Sequence, residues 1–120
     1  MTKRDPMAGA RPVVGERSGG MCERCGAARA SDVHHRKLRR FGDHLAANLL
    51  HLCHACHMWV HANIAASQVA GWILHSWDDP RAVPVKHAVH GRVWLDDEGG
   101  ISRRKPPGFV RLLDDGGVTA

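Results

Sequence analysis

Apolar positions in this chain fall into short clusters separated by polar loops. SDVHHR (31–36) is a brief run with polar flanks, and its composition predicts a strand. NLLHLC (48–53) predicts a second, more apolar strand, with KLRRFGDHLAA (37–47) connecting the two. From His54 to about Ala66 the chain reads as a helix, Ala-rich, with Met58, Ala62 and Ala65 on one side. Gly71 is placed to end any helix that restarts near Ser67, after which Trp72-Ile73-Leu74 lead to a turn at Asp78-Asp79-Pro80. VPVKH (83–87) and GRVWL (91–95) read as the strands of a hairpin, and DDEGG (96–100) as the following turn. Residues 1–20, rich in Gly, Pro and Arg without periodicity, predict a disordered arm. This pattern divides the chain into an arm (1–20), a core (21–66), an extension with a hairpin (67–100) and a flexible tail (101–120).

Composition changes the picture in one respect. Large side chains are scarce in these 120 residues, with four Trp, two Phe and no Tyr against 13 Gly and six Pro. A single small domain of this kind is marginal on core burial alone, so a structural metal would help to hold it together. The N-terminus offers no apolar core for a signal peptide, and ANIAASQVAGWIL is too short and interrupted to span a membrane. A cytosolic, reducing setting is therefore expected, where paired cysteines more often bind metal than form disulfides.

Four cysteines follow the spacing Cys22-x2-Cys25-x27-Cys53-x2-Cys56. Two Cys-x-x-Cys turns separated by a hairpin-sized segment predict a tetrahedral four-cysteine zinc site, since soft thiolates suit this d¹⁰ ion. Cys53-His54-Ala55-Cys56-His57 also matches a haem-attachment signature. That reading normally implies export and leaves Cys22 and Cys25 unexplained. A two-Cys, two-His finger built from Cys22, Cys25, His57 and His61 would need a gap of 31 residues, against the usual gap of about 12. It would also orphan Cys53 and Cys56. A redox dithiol would expect one Cys-x-x-Cys in a βαβ setting, which the pattern lacks.

Seven of the ten histidines lie between positions 34 and 61. His57 and His61, four apart on the expected helix, share a face and can chelate one ion. Successive helical residues point about 100° apart, so Cys56 can serve the zinc while His57 faces elsewhere. His34 and His35 are adjacent on a strand and project to opposite faces. One could complete the histidine site while the other acts as a base, as neutral imidazole suits deprotonation of water near pH 7. The bland reading of the pair is local packing or capping.

Charge is concentrated in the same half. Residues 1–57 carry 10 Lys/Arg against 5 Asp/Glu, a net +5, whereas residues 58–120 carry 7 of each. Arg36, Lys37, Arg39 and Arg40 crowd one loop, as expected for phosphate contacts, although a basic run taken alone is more often a solvated surface.

Taken in order, Cys22-x2-Cys25, Asp32-Val33-His34-His35-Arg36, Asn48-Leu49 and Leu52-Cys53-x2-Cys56-His57-x3-His61 resemble the HNH endonuclease family. The similarity is greatest to the small, zinc-knuckled members carried by bacteriophages. It covers about residues 22–61, a third of the chain. The resemblance implies a small α+β fold with a ββα-metal (HNH/His-Me finger) core, a four-cysteine structural zinc and a C-terminal β-hairpin-like extension. His35 would be the general base that activates water, and His34, His57 and His61 would hold one catalytic divalent ion. Asn48 matches the middle letter of the motif, which in most members holds the base's loop and in others ligates the metal. Many members carry an acidic ligand where His34 stands; an all-imidazole set suits Zn²⁺, Ni²⁺ or Mn²⁺ better than Mg²⁺. Asp32 shares the strand parity of His34 and could be an outer or substitute ligand. His44, His51 and His54 match no family role.

The expected activity is hydrolysis of double-stranded DNA to 5′-phosphate and 3′-hydroxyl ends, by nicking or double-strand cutting. Arg36, Lys37, Arg39, Arg40 and Arg24 of the first knuckle are expected to hold phosphates. The resemblance further implies the cytoplasm of a bacterial host and a phage DNA-packaging terminase as partner. The alternative is a non-catalytic zinc module that binds nucleic acid or protein. It predicts intact cysteines beside a damaged His/Asn set, whereas His35, Asn48, His57 and His61 are all present.

Overall fold

A computed structural model of the chain describes residues 5–106. Two strands, β1 (Asp32–His35) and β2 (Leu49–Leu52), pair antiparallel with His34 opposite Leu50 and His35 opposite Leu49. Helix α2 (His54–Ala62) follows β2 almost directly. Side chains alternate across a strand pair, and here each face has its own cover. Leu50 and Leu52 join Cys22, Cys53, Cys56, Val60 and Trp72 in one core on the α2 side. Val33 and Leu49 pack with Met7, Ala10, Val14 and Ala46 on the other.

That second core overturns the expectation of a disordered arm. Residues Ala10–Ser18 form helix α1, which lies against β2. Met7, Ala10 and Val14 supply a sparse helical stripe that two glycines and a proline conceal in the sequence. A buried ion pair then fixes the helix end. The Arg17 guanidinium donates to both carboxylate oxygens of Glu23 at 2.8 and 2.9 Å, and to the carbonyls of Ala46 and Leu49. Burial alone would raise the pKa of Glu23, but hydrogen bonds from His87 and Arg17 hold it down to about 2. Residues 1–4 of the expected arm lie outside the described residues.

The long helix expected over 54–66 is two helices. Asn63 breaks it by turning its side-chain amide back onto the Trp59 carbonyl at 2.9 Å, an alternative to continued helical bonding. Helix α3 (Ile64–Ala70) restarts beyond it, and the buried Ser67 hydroxyl ties the two by donating to the Val60 carbonyl. The core-facing positions of α2 are Cys56 and Val60, and Met58, on the side read as apolar with Ala62 and Ala65, is 62% exposed. Gly71 ends α3 as expected, at φ +79°, where a Cβ would lie 2.1 Å from the Pro84 carbonyl oxygen. No larger residue fits there.

The hairpin of the extension forms as read, with β3 (Val85–His87) antiparallel to β4 (Gly91–Leu95). A short β5 (Ile101–Ser102) adds to β4 from within the segment expected to be a flexible tail. Residues 107–120 of that tail lie outside the described residues. Val85, Val93 and Leu95 enter the α2-side core, and the indole N–H of Trp72 donates to the Lys86 carbonyl. Among the described residues, no helix is long and apolar enough to cross a membrane.

Arg36 joins the two halves. Its guanidinium is fully buried and donates to the carbonyls of Gly71, Ala47, Pro80 and Val83 at 2.8–2.9 Å. Burial pushes its pKa down to about 9. Four carbonyl dipoles, in place of a carboxylate, satisfy the cation. Arg36 is therefore a staple between loops and is withdrawn from the set expected to touch DNA phosphates.

Candidate metal centres

The Sγ atoms of Cys22, Cys25, Cys53 and Cys56 lie within 4.8 Å of one another. Zinc–sulfur bonds of about 2.3 Å place tetrahedral sulfurs about 3.8 Å apart; Cys25 and Cys53 stand at 4.0 Å. Local geometry prepares the thiolates. Backbone N–H groups of Cys25, Ala27 and Cys56 approach the sulfurs of Cys22, Cys25 and Cys53 at 3.4–3.5 Å. Gly26 turns the first knuckle at φ +67°. Cys53 caps α2, so its sulfur and that of Cys56 sit on the helix's first turn. Burial pushes the bare Cys56 thiol up to about 12, whereas the Ala27 N–H and other hydrogen bonds bring the exposed Cys25 down to about 7. A bound cation would deprotonate such a set outright. The donors fit a structural metal ion such as zinc.

Arg24, expected on DNA, stands against this cluster. Its Nη1 donates to Cys56 Sγ at 3.1 Å, and its guanidinium packs over Trp59 at 3.9 Å and near Trp72 at 4.7 Å. A four-thiolate zinc site carries formal charge −2, which a neighbouring guanidinium partly offsets.

A second group stands on another side of α2. His34, His57 and His61 bring ring nitrogens within 4.8 Å of one another. Their ring centroids form a near-equilateral triangle with sides of 5.0–5.1 Å, and the rings are steeply inclined to each other. The one-residue offset between Cys56 and His57 separates the two groups, because α2 keeps Cys56 buried and leaves His61 exposed.

Hydrogen bonds fix which nitrogens are offered. The Nε2–H of His34 donates to the Trp72 carbonyl at 2.7 Å, which leaves Nδ1 as the lone-pair atom. That Nδ1 is buried and has no protein partner. Burial pushes the pKa of His34 down to about 3, so the ring is neutral at neutral pH. The Nδ1–H of His57 donates to Asp32 Oδ2 at 2.8 Å, which leaves Nε2 free. Asp32, held down to about 2 chiefly by this bond, also meets His54 Nδ1 at 3.1 Å. Carboxylates commonly orient metal-binding histidines in this way. Burial also lowers the pKa of His61. Three imidazoles with one orphaned buried nitrogen fit a divalent ion of borderline softness.

His35 lies on the opposite face of β1, half-buried. Burial, followed by the nearby His44 and Arg39, pushes its pKa down to about 4. Asn48 is fully buried and binds the intervening loop. Its Oδ1 accepts from Lys37 N–H at 2.8 Å, and its Nδ2 donates to the carbonyls of Lys37 and Asp43. The amide is fully spent on backbone and holds the loop. Arg39 and Arg40 in that loop are exposed, and Lys37 is partly so. The extension braces the same loop, because Arg81 spans Asp43, Asp79 and Asp97.

The structure brings together both sets of ligands picked from sequence, and withdraws Arg36 from the phosphate-binding set. Three contacts had no signal strong enough to be read beforehand: His44 against His35, His54 on Asp32, and His51 Nδ1 against the Ser18 hydroxyl at 2.7 Å. No protein-family model, curated protein or solved structure matches this chain. Its chemistry must be argued from its own residues.

Proposed function

We propose that the chain is a metal-dependent DNA endonuclease of the HNH type, built on a ββα-metal core. The observation that supports it most is the clustering of His34, His57 and His61, with the Nδ1 of neutral His34 buried and partnerless. A purely structural histidine cluster would satisfy that atom, since an unpaired buried polar group costs about 1–3 kcal/mol.

His34, His57 and His61 would hold the catalytic ion. When bound, such an ion supplies Lewis-acid stabilisation of the charge that grows on the phosphate and the leaving 3′ oxygen. The chain's own part begins with His35. It takes a proton from water as the water oxygen attacks phosphorus, and its depressed pKa keeps it neutral and ready at neutral pH. His34 and His35 are consecutive and point to opposite faces of β1. The scissile phosphate must therefore lie across the end of that strand, where both faces can reach it. Lys37, Arg39 and Arg40 hold neighbouring phosphates with little sequence readout. Asn48 keeps their loop in place.

The alternative, a non-catalytic zinc module, accounts for the four-cysteine group and leaves the three-histidine group without a purpose. The test is cleavage of supercoiled plasmid by zinc-loaded protein with Mn²⁺, Ni²⁺ or Mg²⁺, with EDTA as control. Nicks should form with at least one ion, and DNA ligase alone should reseal them, since ligase needs a 5′-phosphate beside a 3′-hydroxyl. Nicks that ligase cannot seal would refute the proposed bond cleavage. Intact plasmid under every ion would favour the binding module.

A further inference from the structure

His44 stands beside the proposed base. Its Nδ1 lies 3.0 Å from His35 Nε2, and the two rings meet edge to face at 5.2 Å and 89°. The position is built from both sides. The preceding residue, Asp43, has its carbonyl held by Asn48 Nδ2 at 2.9 Å and its carboxylate held by Arg81 at 2.9 and 3.1 Å. The following residue, Leu45, donates its N–H to Asp43 Oδ1. These bonds run to backbone or to the extension, and His44 itself spends Nδ1 on His35.

We propose that His44 is a positioning residue that fixes the tautomer of His35. This rests on His35 being the base. A base needs a bare nitrogen turned toward water, and the contact with His44 occupies Nε2. If His44 donated the proton, His35 would carry its own hydrogen on Nδ1 and present no free lone pair. With His44 as acceptor, His35 holds Nε2–H and offers Nδ1. When Nδ1 takes the proton from water, the O–H bond breaks and an N–H bond forms. The Nε2–H···Nδ1 bond to His44 is not broken by this transfer. His44 touches neither substrate nor metal in this scheme. It stabilises one ring state of its neighbour.

The test is a long-range ¹H–¹⁵N spectrum of the zinc-loaded full chain, with His35 signals assigned by their loss in His35→Ala. Wild type should show His35 with protonated Nε2 and bare Nδ1. His44→Phe keeps a ring in place but removes the acceptor, and should shift His35 toward a tautomer mixture. Plasmid nicking by that variant should slow by about 10- to 100-fold in kcat, the usual cost of losing an orienting partner, with KM little changed. His44→Asn carries an amide oxygen that can take the place of Nδ1, and should recover much of both signals. A wild-type His35 protonated on Nδ1, or a tautomer unaltered by His44→Phe, would overturn the proposal. A wild type that cuts no DNA under any ion would instead overturn the nuclease reading, and the spectrum is independent of that result.

Discussion

Zinc-loaded wild type is expected to fold, and Cys53→Ser is expected to have no stable fold at all. The reason is one of magnitude. Small domains are stable by about 5–15 kcal/mol, and structural zinc binding contributes about 10–16 kcal/mol in isolated zinc modules at neutral pH. In this chain the four-cysteine group sits inside the α2-side core, where Cys22, Cys53 and Cys56 pack with Leu50, Leu52, Val60 and Trp72. Cys53 also caps α2 and accepts the Cys56 N–H. One substitution therefore removes a metal ligand and part of the core, while the serine hydroxyl can keep the helix cap. The bare thiols could not replace the ion, since burial leaves Cys56 up at about 12 and protonated. Circular dichroism of Cys53→Ser, and of wild type stripped by a strong chelator, should both show loss of the helical signal. A chelated protein that keeps its spectrum and its cooperative melt would count against a structural role for this site.

The second large effect concerns chemistry. His35→Ala should cut DNA about 10²- to 10⁴-fold more slowly than wild type, the usual contribution of a general base, while keeping its zinc and its spectrum. The half-buried ring packs against His44 and belongs to neither hydrophobic core, so removing it should leave the cores intact. Cleavage at the wild-type rate by a His35→Ala protein with full zinc content would remove His35 from the mechanism. Loss of zinc or of helix would make it a structural residue.

How much of this was legible in the sequence follows from how local each determinant is. The cysteine pairs, the His57/His61 spacing and the strand parity of His34 are short-range geometry, and the chain folds them as read. The β3–β4 hairpin was legible for the same reason. Helix α1 was not, because its evidence is a partner: Met7, Ala10 and Val14 gain meaning only against Leu49 and Val33, which lie 19 or more positions away. Arg36 was misread because four arginines and lysines in five positions look alike until one turns inward to carbonyls as distant as Val83. The packing of Arg24 was hidden for the same reason, its two Trp neighbours being 35 and 48 residues away. His44 and His54 had no pattern to reveal them, since each meets its partner across a loop or between elements.

The central claim is that one helix carries two independent metal centres, the cysteines holding the fold and the histidines holding the ion for chemistry. Native mass spectrometry of zinc-loaded protein with added Ni²⁺, comparing wild type with His57→Ala, tests this most directly. Wild type should carry one retained zinc and one further ion, and His57→Ala should keep the zinc and lose the second. A wild type that never takes up a second ion, or a His57→Ala protein that releases its zinc, would contradict the account.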